Sequence, residues 1–430
     1  MMKIFLLSLG CDKNRVDSEE MLGLLAASGF SFIDDEYQAD IIIVNTCCFI
    51  DAAKEESIEA ILDMARMKEE GRCRRLIVTG CLAQRFRDEI FKELPEVDAI
   101  VGVNELAAVI TAADPSLGAG PVPEHKRIIT TPGHYEFLKI AEGCNKRCSY
   151  CIIPYIRGNY RSFPMDNLLA EARQLAESGV KELLVVAQET TIYGTDLYGE
   201  NRLPELLREL CKVDGFQWIR LLYTYPEEIT DDLLEVMSQE EKIVKYLDMP
   251  IQHASDGILK RMGRRTSHSD LVNIISRVRE AIPGVALRTS LITGFPGETE
   301  EDHDILKSFI AKARFDRLGV FTYSQEEGTR AAAFADQLPE DIKESRRDEL
   351  MLLQEEISRG KLSECVGNTF RVFIEGYIPD EDIYVGRTFM DAPDVDGYFY
   401  VKATRELMTG DFIDAVCTES SAYDLYGEML

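Results

Sequence analysis

The stretch Glu142-Gly143-Cys144-Asn145-Lys146-Arg147-Cys148-Ser149-Tyr150-Cys151 decides how the rest of the chain is read. It sets three thiols close together, directly after the apolar run Phe137–Ala141, which has the length and composition of a buried strand. Downstream the alternation repeats. Glu182–Ala187, Gln217–Tyr223, Tyr246–Ile251, Ala286–Ile292 and Arg317–Tyr323 read as strands, separated by helical segments such as Met165–Ser178 and Ser267–Ala281. Six consecutive strand–helix units predict a partial (β/α) barrel, short of the complete eight-fold form. In such barrels chemistry sits at the carboxyl ends of the strands, and the three-cysteine loop follows the first of them.

The opening third alternates in the same way on a smaller scale. Lys3–Leu9, Asp40–Val44 and Arg75–Thr79 read as strands, and Asp17–Ser28, Asp51–Met67 and Leu82–Leu94 as helices. This order predicts an α/β, doubly wound parallel-sheet domain. Ala112–Pro123 is rich in Ala, Gly and Pro and reads as its end. After a charged helix, Glu340–Lys361, the pattern changes to short strands: Asn368–Gly376, Ile383–Met390, Tyr398–Ala403, Asp411–Glu419 and Ala422–Met429. Five of these predict a small β-barrel of oligonucleotide-binding type. The expected division is an amino-terminal domain over 1–118, a linker over 119–134, the partial barrel over 135–360 and the terminal β-barrel over 361–430.

Composition narrows the chemistry. An apolar share of 45% and a charged share of 29% are those of an ordinary globular protein. No apolar run approaches the roughly 18–20 residues needed to span a bilayer. Met1–Leu9 is short and lacks a small-residue cleavage site, so it reads as a strand rather than a signal peptide, and the cytoplasm is the expected compartment. Thiols stay reduced there, so eleven cysteines call for something other than disulfides. Cys73, Cys211, Cys365 and Cys417 stand alone and read as small buried hydrophobes. Cys144, Cys148 and Cys151 are grouped, and grouped intracellular cysteines bind metal. The formal charge of −28 excludes an electrostatic nucleic-acid binder and favours a basic partner.

Three thiolates spaced C-x-x-x-C-x-x-C suit three corners of a four-iron cluster. No fourth cysteine lies nearby, which leaves one iron open; a zinc knot would want four ligands. S-adenosylmethionine can chelate such an iron through its amino and carboxylate groups. This spacing after a barrel strand resembles the radical S-adenosylmethionine superfamily. The resemblance implies that Tyr150 lies beside the adenine and that Glu189, with Gln188, contacts the methionine part. The superfamily usually has Gly-Gly-Glu there, and both glycines are absent from Ala187-Gln188-Glu189-Thr190. Gly294 and Gly297, in the loop Thr293–Glu298 after the fifth strand, would let backbone approach the cofactor closely.

Three further cysteines follow the three amino-terminal strands: Cys11, Cys47 and Cys81. In a doubly wound sheet these loops share one edge, so residues far apart in sequence converge. Each also precedes a helix, whose amino-terminal dipole favours a thiolate. Cys48 rivals Cys47 on this reading. The segments Ser8-Leu9-Gly10-Cys11-Asp12-Lys13-Asn14, Asn45-Thr46-Cys47-Cys48-Phe49-Ile50 and Thr79-Gly80-Cys81-Leu82-Ala83-Gln84-Arg85, with the barrel cysteines, resemble the methylthiotransferases. That resemblance implies the same three-part order, with a terminal TRAM domain, and selects Cys47 over Cys48. It also implies two four-iron clusters and S-adenosylmethionine as cofactors.

The Lys13-Asn14 pair after Cys11 resembles the branch that modifies a small-subunit ribosomal protein, although Asp12 stands where that branch commonly has proline. The terminal barrel offers a physical discriminator. Between Lys361 and Leu430 five basic and fourteen acidic residues leave a balance of −9, which repels phosphate and attracts a basic protein. The resemblance implies methylthiolation of the β-carbon of an aspartate in ribosomal protein twelve of the small subunit, with an external electron donor such as flavodoxin. It implies no membrane and no specific nucleic acid outside the ribosome. Three alternatives stay open: a transfer-RNA adenosine methylthiotransferase, a radical enzyme with another sulfur acceptor, and a non-enzymatic two-cluster electron carrier.

Overall fold

The computed structural model describes residues 2–118 and 120–430; Met1, at the head of the expected first strand segment, and Ala119, which opens the expected linker, lie outside it. The amino-terminal sheet has five parallel strands in the spatial order Ser31–Phe32, Lys3–Ser8, Ile41–Thr46, Arg75–Thr79, Ala99–Val101. The run Ile41-Ile42-Ile43-Val44 supplies the central strand, buried along its whole length as a strand covered on both faces must be. Two edge strands, Ser31–Phe32 and Ala99–Val101, were not among the expected ones, because at two and three residues they carry no periodic signal. The order in which strands are added to the sheet reverses between Lys3–Ser8 and Ile41–Thr46, which makes that crevice the topological switch point where such sheets bind ligands.

Two helix boundaries differ from the sequence reading. The first helix spans Asp12–Ala27 and starts on Cys11, not at Asp17. The polar run Asp12-Lys13-Asn14 resembles a loop, but its side chains are held by contacts outside the helix. The expected helix Leu82–Leu94 is two, Gly80–Arg85 and Arg87–Glu93, broken at Phe86. The break turns Arg85 toward Glu326 of the next domain and Arg87 toward Glu105.

The central sheet is a six-stranded parallel array in sequence order: Tyr135–Lys139, Glu182–Val186, Trp218–Leu221, Ile243–Asp248, Ala286–Thr293 and Arg317–Thr322. It is open, as a partial barrel should be. Leu183, Val185, Ile219 and Leu247 face the surrounding helices and form the largest apolar core. Alternate residues of the same strands, among them Leu184, Val186, Trp218 and Tyr246, point to the concave side.

The terminal domain is a closed five-stranded barrel ordered Thr369–Ile378, Ile383–Arg387, Phe399–Lys402, Leu425–Met429, Phe412–Ser420. It caps the concave side of the central sheet. Phe373 and Phe412 stack at 4.3 Å between centroids, and Trp218 meets Phe412 edge-on at 4.9 Å. The second strand stops at Arg387, short of the expected Met390, because Thr388–Asp396 leaves the barrel and enters the concave face. There Asp391 pairs with Arg317, Asp396 with Arg288 and the Tyr246 hydroxyl, and Arg220 donates to the Phe389 carbonyl. Among the described residues no helix is long and apolar enough to cross a membrane.

Candidate metal centre

The loop Gly143–Cys151 is anchored by a two-residue antiparallel ribbon, Ala141–Glu142 with Arg161–Ser162. Gly143 has φ +79°, and a Cβ there would lie 2.4 Å from the Asn159 carbonyl, so only glycine allows this entry. The Cys144 amide donates to the Gly158 carbonyl, and the Ser149 amide to the Met262 carbonyl. Cys144 and Cys148 are buried and Cys151 is half-buried. Burial pushes the Cys144 thiol up to about 11 and raises Cys151 as well. Such thiols ionise when a metal replaces the proton.

Cys11, Cys47 and Cys81 come together at the switch point. A Cβ on Gly10, at φ +91°, would fall 2.8 Å from the Cys47 Cβ and 3.1 Å from its Sγ, so the first loop presses directly on the second. Asn14 fastens the cradle. Its Nδ2 donates to the carbonyls of Leu9 and Thr46, and its Oδ1 accepts from the Cys81 thiol at 3.7 Å. Ser57 grips the Cys47 backbone at both its amide and its carbonyl. Burial raises Cys81 and Cys47, and neighbouring cysteines add to the effect in each. Cys48 sits in the apolar core, with Arg85 and Glu326 as its charged neighbours. The helix-dipole expectation needs one correction: Cys81 lies inside the six-residue helix Gly80–Arg85 rather than before it.

Among the described residues no three His, Cys, Asp or Glu side chains are grouped to hold a single metal ion. Each corner iron of a cluster takes its own thiolate, so cluster ligands stand apart and need not meet at one centre. The three thiols of each triad fit such a cluster; Cys48, near the amino-terminal one, sits in the apolar core.

Between the triads lies a buried ion network that sequence reasoning missed. Arg157, 2% exposed, reaches Asp17 at 3.1 Å and both oxygens of Glu142 at 3.0 and 2.9 Å, and its second nitrogen reaches Asn14 and, at 3.6 Å, the Cys81 sulfur. Lys139 joins Asp17 and Glu142. Burial alone would raise Glu142, yet Lys139 and Arg157 outweigh it and hold its carboxyl well below the usual carboxylate range. Lys13 is likewise buried, 3.1 Å from the centre of the Tyr223 ring and paired with Asp12. The one sequence signal was the pair of charges Lys139 and Glu142, three apart just before the cysteine motif.

The expected cofactor residues fall into two groups. Tyr150 lies beside Cys148 and Arg264. Gln188 donates to Glu142 at 2.7 Å and keeps a buried Oε1 without a donor. Glu189 is fully buried, 3.3 Å from Lys146, with Oε2 unpartnered. Burial pushes it up to about 7 against the pull of Lys146, and Glu228 and Glu227 add to the rise. Two orphaned acceptors near a barrel cysteine fit an ammonium-bearing ligand. Gly294 and Gly297 are different. Both have positive φ, and the space a Cβ would take is filled by Lys343 at Gly294 and by Asp336 and Arg261 at Gly297. Packing within the protein already accounts for glycine at both.

Comparison with known proteins agrees with this architecture. Residues 3–102 match the uncharacterized protein family UPF0004, 138–309 the radical SAM superfamily and 366–430 the TRAM domain. The ribosomal protein uS12 methylthiotransferase RimO of Lachnoclostridium phytofermentans is 56% identical over 99% of each chain. That of Acetivibrio thermocellus is 49% identical over 100% of this chain and 98% of its own. Among solved structures, the radical S-adenosylmethionine methyltransferase TsrM of Kitasatospora setae, with cobalamin and a [4Fe-4S] cluster bound, superposes at TM-score 0.54 with 14% identity over 75% of each chain, a likeness of fold. With relatives this similar along its whole length, the chain belongs to the family of ribosomal protein uS12 methylthiotransferases.

Proposed function

We propose that this protein is a radical S-adenosylmethionine methylthiotransferase that places a methylthio group on the β-carbon of an aspartate in ribosomal protein uS12. Support comes from its full-length relatives and, above all, from two three-cysteine pockets joined through one buried network. Cys144, Cys148 and Cys151 would hold one four-iron cluster and Cys11, Cys47 and Cys81 a second. With clusters and S-adenosylmethionine bound, reductive cleavage of the sulfonium bond supplies a carbon radical able to take hydrogen from an unactivated C–H bond, which no acid or base can do.

The chain's own residues position and insulate that chemistry. Glu189 and Gln188 offer buried acceptors to the ammonium of the methionine part, and Tyr150 offers a ring beside the barrel cysteines. Asn14, Gly10 and Ser57 hold the amino-terminal thiols in place. Glu142 and Arg157 fix the barrel loop against that pocket, and their burial excludes water from the space between. The working division is an amino-terminal cluster domain over 1–118, a linker over 119–134, a radical barrel over 135–360 and the TRAM barrel over 361–430. The acidic outer face of the last suits a basic protein in the cytoplasm, and electrons come from a donor such as flavodoxin.

Intact-mass analysis of ribosomal protein uS12 from cells with and without this enzyme tests the reading. The expected result is a methylthio mass increment only when the enzyme is present. An unmodified ribosomal protein beside thiomethylated adenosine in transfer RNA would assign the enzyme to the other substrate.

A further inference from the structure

Arg157 belongs to the barrel by sequence and to the amino-terminal pocket by contact. It follows the short helix Ile153–Ile156, in the loop that carries Cys144, Cys148 and Cys151. The Cys144 amide is bonded to the carbonyl of its neighbour Gly158. Its guanidinium nevertheless crosses the domain boundary to Asp17, to Asn14 and to the Cys81 sulfur at 3.6 Å.

The charge balance around it is informative. Arg157 and Lys139 face Asp17 and Glu142, two cations against two carboxylates, all with side chains under a tenth exposed. The four compensate one another, so the contact to Cys81 is not needed to neutralise the network. Lys139 has no sulfur contact, whereas Arg157 directs its second nitrogen toward Asn14 and Cys81. A planar fork can bind Glu142 with one nitrogen and a sulfur with the other, which a lysine cannot do. A hydrogen bond from a cation to a cluster sulfur stabilises the more negative state of that cluster, and hydrogen bonds to the sulfurs are among the levers that set its potential.

We propose that Arg157 is a positioning residue through which the barrel loop controls the amino-terminal cluster, stabilising the negative charge gathered there by reduction or by an anionic sulfur ligand. The inference rests on the two-cluster reading above. It goes further by assigning to one residue of the radical domain a direct electrostatic role at the other domain's cluster. Because the same guanidinium holds Glu142, which precedes Gly143 and Cys144, the two cysteine loops are mechanically tied as well.

The test uses the full-length chain carrying Cys144→Ala, Cys148→Ala and Cys151→Ala, reconstituted anaerobically so that only the amino-terminal cluster forms. Arg157→Gln and Arg157→Lys are added to it separately. Three quantities are read: iron content, the midpoint potential followed by electron paramagnetic resonance, and the affinity for hydrosulfide from the same spectrum. For Arg157→Gln the expected result is unchanged iron, at least a tenfold loss of hydrosulfide affinity and a potential lowered by at least about 59 mV, the one-electron equivalent of tenfold. Arg157→Lys keeps the charge against Asp17 and Glu142 and should shift in the same direction by less; it carries the test if the glutamine variant does not fold. Parent-like potential and hydrosulfide affinity in a variant with full iron would overturn the role of Arg157. A background protein that takes up no iron would overturn the two-cluster reading, and this inference with it.

Discussion

Gly10→Ala is the sharpest single perturbation of the amino-terminal pocket. The residue has φ +91°, a backbone conformation that adds about 1–2 kcal/mol for any residue with a Cβ. The new methyl would stand 2.8 Å from the Cys47 Cβ and 3.1 Å from both the Cys47 Sγ and the Asn14 Nδ2. Carbon atoms prefer about 3.5–4.0 Å, and overpacking of this kind adds about 1–3 kcal/mol more. The sum, about 2–5 kcal/mol, falls where the Cys11 loop presses on Cys47 itself. The loops relieve it by moving apart, which takes the cluster ligands out of position. Gly29→Ala is the control: it has nearly the same φ, +90°, but nothing within 4 Å of the added carbon. Iron is counted after anaerobic reconstitution, beside a thermal unfolding scan. Gly10→Ala should hold about half the parent iron and still cleave S-adenosylmethionine at the barrel site; Gly29→Ala should hold all of it. Full iron in Gly10→Ala would refute the convergence of the three amino-terminal cysteines.

Other predictions test other parts of the molecule. Burial lifts Glu189 from 4.5 to about 7, so the folded protein binds a proton there more tightly than the unfolded chain does. Its contribution to stability is therefore fully present below about pH 4.5 and declines as pH rises toward 7; Glu189→Gln should remove that part of the decline in denaturation measured across the window. Glu182, fully buried, pairs with Arg220 at 2.8 Å and Arg387 at 2.6 Å, joining the central sheet to the terminal barrel. Glu182→Gln leaves the buried Arg220 without its carboxylate and Arg387 with Glu375 alone, and should destabilise the protein by about 3–5 kcal/mol, seen as an earlier urea transition. Asp380→Lys with Glu381→Lys, at an exposed turn of the terminal barrel, should weaken binding of ribosomal protein uS12 at low salt and leave 5′-deoxyadenosine formation intact. Binding equal to that of the parent would remove this turn from the docking surface.

Much of this was legible in the sequence, and what was not shares a physical cause. The apolar runs specified the six central strands and the three longer amino-terminal ones, because burial is written into composition. The cysteines could be paired with strand ends because a parallel sheet puts all such loops on one edge. Arg157 could not be found in this way: its partners Asp17 and Cys81 lie 140 and 76 residues away, and nothing local distinguishes it from a surface arginine. The helix start at Asp12 was missed for a related reason. Lys13 and Asn14 are poor interior residues by composition, yet tertiary partners hold both, the Tyr223 ring for the one and the carbonyls of Leu9 and Thr46 for the other. Gly294 and Gly297 read from the sequence as points where backbone could approach a cofactor closely; their positive φ, and the packing of Lys343, Asp336 and Arg261 against them, are visible only in the fold.

The acidic balance of the terminal barrel has two components with different physics. Asp391, Asp396 and Glu375 are paired with Arg317, Arg288 and Arg387, and all but Glu375 are almost fully enclosed. These carboxylates attach the barrel to the concave face and present no charge to a partner, so the figure of −9 overstates the field outside. The exposed residues are still unbalanced: nine are acidic, against Arg371, Lys402 and Arg405. Charges of this second kind act over a Debye length of about 8–10 Å and mainly raise the rate of encounter. The two components are separable by salt. Raising ionic strength should slow association with a basic ribosomal protein and leave the barrel seated, because screening reaches exposed charges far more than enclosed pairs. Loss of the terminal barrel's protection from hydrogen exchange at the same salt would mean that its attachment is itself a surface effect, contrary to the burial of Asp391 and Arg317.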